Sequence, residues 1–193
     1  MEPEARGARD GELVARARRG DLGAFDELVR RHERAALRVA TVVCGSVGAE
    51  DATQEGFVRA FRALDRFDVR REFRPWILRI VANAAKNRAR AEHRHIQLGV
   101  REQTFGHRTN TGADVDDAAE LLVATEQRAA VAAALARLPV QDREVIAYRW
   151  FEDLSEREMA VALRVRPGTV KSRLSRAMAR LRTELEKSEV PVD

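Results

Sequence analysis

Apolar residues recur at helical spacing along most of this chain, and the pattern predicts a succession of short amphipathic helices. Asp10 is placed to cap a first helix carrying Leu13, Val14 and Ala17, which Gly20 ends. The residues before it are expected to be loose. Asp21 caps a second helix with Phe25, Leu28, Val29 and His32 on one stripe. A third segment, 34–44, is apolar through Leu37, Ala40 and Val43 and stops at Gly45. In 49–67, Phe57, Ala60, Phe61 and Leu64 share a core face; Asp51, Glu55, Val58 and Arg62 point the other way, with Gln54 at the edge. Spacing alone makes this a solvated amphipathic helix. After a break at 68–72, segment 73–94 has Trp76, Ile77, Ile80 and Val81 on its apolar side and Pro75 in its first turn. Two further helices follow: 129–138, with Val131, Leu135 and Leu138 inward, and 142–151, with Val145, Ile146, Tyr148 and Trp150 available for packing.

The run LSEREMAVALRVRPGTVKSRLSRAMARLR, 154–182, carries the most information. Ser155 and Glu158 form an S-x-x-E capping box, and Leu154 and Met159 stand where a hydrophobic staple fixes the entry angle. The helix they start should end near Leu163. Pro167 opens the next, since proline suits the first helical position. There Val170, Leu174, Ala177 and Leu181 fall on one face, with Ser172, Ser175, Arg176 and Ala179 opposite and Lys171, Arg173 and Arg180 on the flanks. No acidic residue occurs between Arg164 and Arg182. A bare pair of helices would more often be a hairpin with a solvated basic face. The capped first helix, short turn and unbroken basic face turn the reading to a helix-turn-helix whose second helix suits a major groove.

Composition narrows the class. In 193 residues, 34% are charged and 5% aromatic, and the net charge is only +4, so basic residues count by where they cluster. The expected fold class is all-α: two small helical domains joined by a flexible acidic linker, the second containing the helix-turn-helix. The single cysteine, Cys44, excludes an internal disulfide framework and reads as a buried structural thiol in a reducing cytoplasm. No apolar run reaches membrane-spanning length, so a cytoplasmic protein without membrane contact is expected.

The second half of 73–94 is polar and basic, through Asn83, Lys86, Asn87, Arg88 and Arg90. Aromatics beside basic residues and amides are what single-stranded DNA needs, although Trp76 is equally at home in a core. His32 reads as a packed or half-exposed helix residue rather than a ligand. His93 and His95 lack further ligands and read as part of a basic helix end, so no metal or cofactor is assigned. Residues 96–125, with Gly99, Gly106 and Gly112 and the acidic Asp114, Asp116, Asp117 and Glu120, read as a linker. The expected domains are 1–95 and 126–193, the second with a short tail from Lys187.

Together these segments resemble the extracytoplasmic-function (ECF) sigma factors of the bacterial sigma-70 superfamily, over roughly 10–182. GDLGAFDELVRRH looks like the family's first segment, AEDATQEGFVRAF like the segment that docks on RNA polymerase, and FRPWILRIVANAAKNRAR like the promoter-melting, −10-reading segment. ALARLPVQDREVIAYRWFEDLSEREMAVALRVRPGTVKSRLSRAMARL resembles the −35-reading domain over its full length. The resemblance implies a sigma factor that binds core RNA polymerase and directs promoter-specific initiation. It would put Asp51, Gln54 and Glu55 on the polymerase-facing side. Asn83 would bind a flipped −10 base, with Trp76, Arg79, Lys86 and Asn87 around it and 67–73 shaping the pocket. Lys171, Ser172, Ser175 and Arg176 would face −35 bases, with Thr169 and Arg173 nearer the backbone and Arg180 among the flanking cations. An anti-sigma partner is also implied, and a monomer when free of partners. The two promoter elements lie roughly 70 Å apart at ~35 Å per turn. A linker of this length can reach ~100 Å.

Two positions depart from the family pattern. Gly56 stands where a larger residue is usual, which is expected to loosen the docking helix. Arg164 occupies a turn position where glycine is common, so a left-handed backbone there is strained. The rival readings are a stand-alone helix-turn-helix regulator, which leaves 49–90 unexplained, and a nucleic-acid hydrolase. No phosphate loop, paired-carboxylate site or metal cluster supports the second, and no catalytic residue is assigned.

Overall fold

The computed structural model describes the backbone of residues 3–97 and 118–187 and the side chains of 10–94 and 127–187. The linker's acidic residues, His95, most of the tail and the first residues therefore lie outside the described side chains. Among the described residues there is no strand. The N-terminal module holds α1 (Pro3–Arg18), α2 (Leu22–Cys44), α3 (Ser46–Ala63), a single 3-10 turn and α4 (Phe73–Gln97). The C-terminal module holds α5 (Ala118–Arg137), α6 (Val140–Ile146), a π turn (Ala147–Phe151), α7 (Glu156–Leu163) and α8 (Pro167–Glu186).

Local chemistry sets most boundaries. Asp21 accepts from the Ala24 amide at 3.1 Å and starts α2. The Asp21 carboxyl sits below its ordinary pKa because Arg16 donates to it and the cap amide adds to that. Gly45, at φ 84, ends α2 in a conformation that L side chains rarely adopt. Three expected elements differ, one being α5, which begins at Ala118 inside the 96–125 expected as linker. Segments 21–32 and 34–44 are one continuous helix, because nothing at Glu33 interrupts the amide ladder. Asp10 does not cap a helix. It lies inside α1, 2% exposed, with a carboxylate oxygen 2.8 Å from His32 Nε2 and the other taking an Arg31 N–H at 3.2 Å. His32 is correspondingly packed, its ring centroid 5.3 Å from that of Phe73.

The core of the N-terminal module is built from α2, α3 and α4, and Gly56 decides how closely the last two approach. A Cβ on Gly56 would stand 2.5 Å from Val81 Cγ2 and 2.9 Å from Val81 Cα. The expectation that this glycine loosens α3 is thus reversed: it is what lets α3 lie against the α4 backbone. Phe61, expected in the core, is 44% exposed at the rim of the module and meets Phe25 edge-on at 4.9 Å. Cys44 is buried, and burial pushes its thiol up to about 11.

In the C-terminal module the capping box forms: the Glu158 amide donates to Ser155 Oγ and the Ser155 amide to Glu158 Oε2 at 2.7 Å. The staple residues Leu154 and Met159 are fully buried. Arg164 closes α7 at φ 54, ψ 45, in the left-handed region, and Pro167 begins α8. Val131, expected inward, is exposed, because α5 meets α8 through Ala134, Leu135 and Leu138 near its C-terminal end. Trp150, expected to pack, is 64% exposed. The π turn places an extra residue in the ladder after Ile146. That keeps Tyr148 inside and turns Trp150 and Phe151 outward.

The two modules do not lie apart. One continuous apolar cluster runs from Val14 and Leu28 through Leu78 to Tyr148, Leu154 and Met159, with α7 packed on α4 and α6 on α2.

Candidate nucleic-acid interface

The single-strand candidates occupy one side of α4. Trp76 is half-buried, its ring centroid 4.8 Å from Phe67 and 5.3 Å from Phe73, so it is both packing residue and exposed stacking edge. Trp76, Arg79 and Asn83 line one open cavity of about 340 Å³, with Arg66 at its rim. An exposed amide, a guanidinium and an aromatic edge around one concavity can take an unstacked base and its phosphate. Lys86 does not join them: its ammonium donates to both oxygens of Glu144 at 2.9 Å. Asn87 is exposed and lines neither this cavity nor the larger one below.

The duplex candidates on α8 divide into two groups. Lys171, Ser172 and Ser175 are exposed, and Ser172 Oγ donates back to the Thr169 carbonyl at 3.1 Å, which holds it in the first turn. Arg173, Arg176 and Arg180 instead turn toward α4. Arg180 pairs with Asp142 at 2.5 Å, and Arg176 Nε donates to the Ser172 carbonyl at 3.2 Å. Together with Arg79, Asn83, Lys86 and Arg90 of α4 they wall a cavity of about 540 Å³ between the modules.

Three contacts hold the modules in this closed arrangement. The Glu152 carboxylate, wholly buried, receives Arg38 Nε at 2.8 Å, Arg38 Nη2 at 3.1 Å and Arg74 Nη2 at 2.8 Å. Glu144 holds Lys86, and Tyr148 Oη lies 3.2 Å from a Glu144 oxygen and 3.4 Å from the Leu78 carbonyl. Burial, reinforced by the Glu144 charge, drives the Tyr148 hydroxyl well above the usual phenol range. Glu72 meets Glu158 across the junction. Burial first, then the Glu158 charge, raises the Glu72 carboxyl above its ordinary value. Arg38, Glu72, Arg74, Glu144 and Glu152 were not singled out from sequence, Lys86, Tyr148 and Glu158 were given other roles, and Arg164 was noted only for its backbone. The available signal was weak: acidic residues close to apolar ones, whose partners stand 58 to 114 residues away.

On α3 the expected docking residues Asp51, Gln54 and Glu55 are all exposed on the outer face. Asp51 pairs with Arg88 at 2.5 Å and Glu55 with Arg59 at 2.5 Å. Val58 is exposed beside them, so the face combines carboxylates with an apolar patch. Among the described residues no group of three or more acidic, histidine or cysteine side chains is placed to hold a metal. No helix there is long and apolar enough to cross a membrane.

Comparison with known proteins accounts for both modules. Residues 28–95 match the Sigma-70 region 2 family and residues 128–181 the Sigma-70 region 4 family. The chain is 34% identical over 183 residues to RNA polymerase sigma factor NccH of Alcaligenes xylosoxydans xylosoxydans, covering 94% of this chain and 97% of that protein. It is 36% identical over 173 residues to ECF RNA polymerase sigma factor SigM of Mycobacterium tuberculosis, covering 89% and 82%. Among solved structures, CnrH in complex with the cytosolic domain of CnrY matches with a TM-score of 0.68 and 29% identity, covering 94% of this chain and 99% of that one. Two modules in family order, spanned by relatives of similar length, make the chain a member of the ECF sigma factors, an alternative RNA polymerase sigma factor of the sigma-70 family.

Proposed function

We propose that this sigma factor docks on core RNA polymerase through the outer face of α3, reads −35 duplex with α8 and captures the melted −10 strand with α4. It catalyses no reaction itself, and it works in the cytoplasm as a monomer until it meets a partner. The observation that best supports this division is the chemistry of the two DNA faces. Trp76, Arg79 and Asn83 share a cavity of base size, whereas Lys171, Ser172 and Ser175 form an exposed polar ridge on a single helix. A pocket suits an unstacked base; a ridge suits a groove.

A major groove is ~12 Å wide and takes a whole helix. With Arg173, Arg176 and Arg180 turned toward α4, α8 cannot enter one. The modules therefore part before promoter DNA is read. CnrH was solved with the cytosolic domain of CnrY, and we propose a comparable protein partner, an anti-sigma factor, for this chain.

The test is reconstitution with bacterial core RNA polymerase. Co-elution, weakened by charge reversal at Asp51 and Glu55, followed by initiation from a promoter library, supports the proposal. Tight duplex binding by the free protein with no polymerase association would replace it with a stand-alone regulator.

A further inference from the structure

The larger cavity between the modules carries more positive charge than its own carboxylates answer. Its acidic wall residues are already engaged: Asp142 by Arg180 at 2.5 Å, and Glu144 by Lys86 at 2.9 Å. Arg79, Arg90, Arg164, Arg173 and Arg176 remain on the wall without a carboxylate partner among the described residues. They come from both modules, so closing the chain brings like charges together. Arg79 feels this most. Its guanidinium is partly buried, and both that burial and the Arg164 charge act against its protonated form. Arginine does not give up its proton at neutral pH, so the stress is relieved only by an anion or by opening.

The closed cavity, about 540 Å³, is far too small for duplex DNA. It is also much larger than one phosphate, and its arginines come from both modules. Guanidinium forks match phosphoryl oxygens in geometry and charge. We propose that this cavity is a binding site for a small polyphosphate, a short chain of linked phosphoryl groups, free or carried by a nucleoside. It bridges Arg79 and Arg90 of α4 to Arg164, Arg173 and Arg176 and holds the modules closed. A ligand that binds only the closed form stabilises that form by mass action. The adjoining smaller cavity shares Arg79, Asn83 and Arg164 and is bordered by Trp76, so a nucleoside attached to the polyphosphate has an aromatic edge within reach. The site does not depend on how the chain works on polymerase.

The experiment uses the full chain carrying Trp150→Phe, which leaves Trp76 as the only tryptophan reporter. Tripolyphosphate, phosphate, sulfate and metal-free ATP are titrated at about 150 mM salt, where loose surface attraction is screened. Fluorescence and calorimetry are read. The expected result is saturable one-to-one binding, tighter for tripolyphosphate than for phosphate or sulfate. Arg79→Ala and Arg164→Gly should each weaken it roughly tenfold, the loss of a charge-assisted contact. Arg182→Ala, on α8 but outside the cavity, should change it less than about twofold. Arg164→Gly also removes a left-handed arginine, so it should melt no lower than the parent; lost binding in a stable protein excludes unfolding as the cause. ATP binding tighter than tripolyphosphate identifies a nucleoside-borne ligand, and equal affinity identifies free polyphosphate. Unsaturable binding, equal binding of all anions, or the same loss in Arg182→Ala as in Arg79→Ala would overturn the proposal.

Discussion

Glu152→Gln tests whether the closed arrangement is held as described. The native carboxylate is wholly buried and takes three N–H donors from two helices of the other module. Glutamine keeps the shape but loses the charge and turns an amide N–H₂ toward a guanidinium. Removing one partner of a fully buried ion pair costs about 3–5 kcal/mol. Here the arginine side chains are 48% and 29% exposed, so the charges left behind reach water, and Arg74 keeps its bond to the Glu152 carbonyl at 2.8 Å. The loss is then closer to that of charge-assisted hydrogen bonds, about 2–3 kcal/mol. At about 1.4 kcal/mol per tenfold, opening becomes about 30- to 140-fold more frequent. Native-state amide exchange reads this directly at Glu152 and Leu154, whose amides bond the Ala147 and Tyr148 carbonyls at 3.1 and 2.9 Å. Those amides should exchange faster by that factor, while the interior of α3 and α4 changes by less than about threefold. An unchanged rate at Glu152, or an equal rise throughout both modules, would refute the reasoning.

Other consequences can be measured with ordinary means. Gly56→Ala drives a methyl into the α4 backbone at Val81 and should cost about 1–3 kcal/mol, seen as a Tm lower by ~2–4 °C per kcal/mol. Glu72 holds its proton more tightly in the closed chain than when free. Closure therefore strengthens as pH falls through the raised pKa and weakens as pH rises through it. As pH falls through the raised pKa of Glu72, amide protection at the junction, corrected for the intrinsic pH dependence of exchange, should rise, and Glu72→Gln should abolish that rise. The Cys44 thiol, moved from 9.0 to about 11, carries about a hundredfold less thiolate than a free one at neutral pH. Aromatic disulfide reagents should modify it only when the protein is unfolded.

Features written in neighbouring residues were legible from the sequence. Ser155 and Glu158 meet across one turn, Pro167 fixes its own φ, and Arg164 in a short interhelical turn has few backbone options, so each followed from local chemistry. The exposed carboxylates of α3 and the grouping of Trp76, Arg79 and Asn83 came from the family resemblance, and spacing alone gave no more than amphipathic helices there. The junction was not. Glu152 is an ordinary acid in sequence until Arg38 and Arg74 arrive from another module. Lys86, read as a DNA contact, is claimed by Glu144 for the same reason. Periodicity also misplaced Phe61, Val131 and Trp150. It gives the direction of a side chain but not whether a neighbouring helix extends far enough to cover it, and it assumes an even pitch that the π turn breaks.

The apolar cluster shared by the modules bears on how the chain survives while open. Parting α7 from α4 and α6 from α2 wets surface that is sealed in the closed state. Apolar faces of that kind draw proteins into self-association. The open chain is therefore a poorly soluble species unless something lies along the bared helices at once. A C-terminal module expressed alone should form aggregates that the whole chain does not.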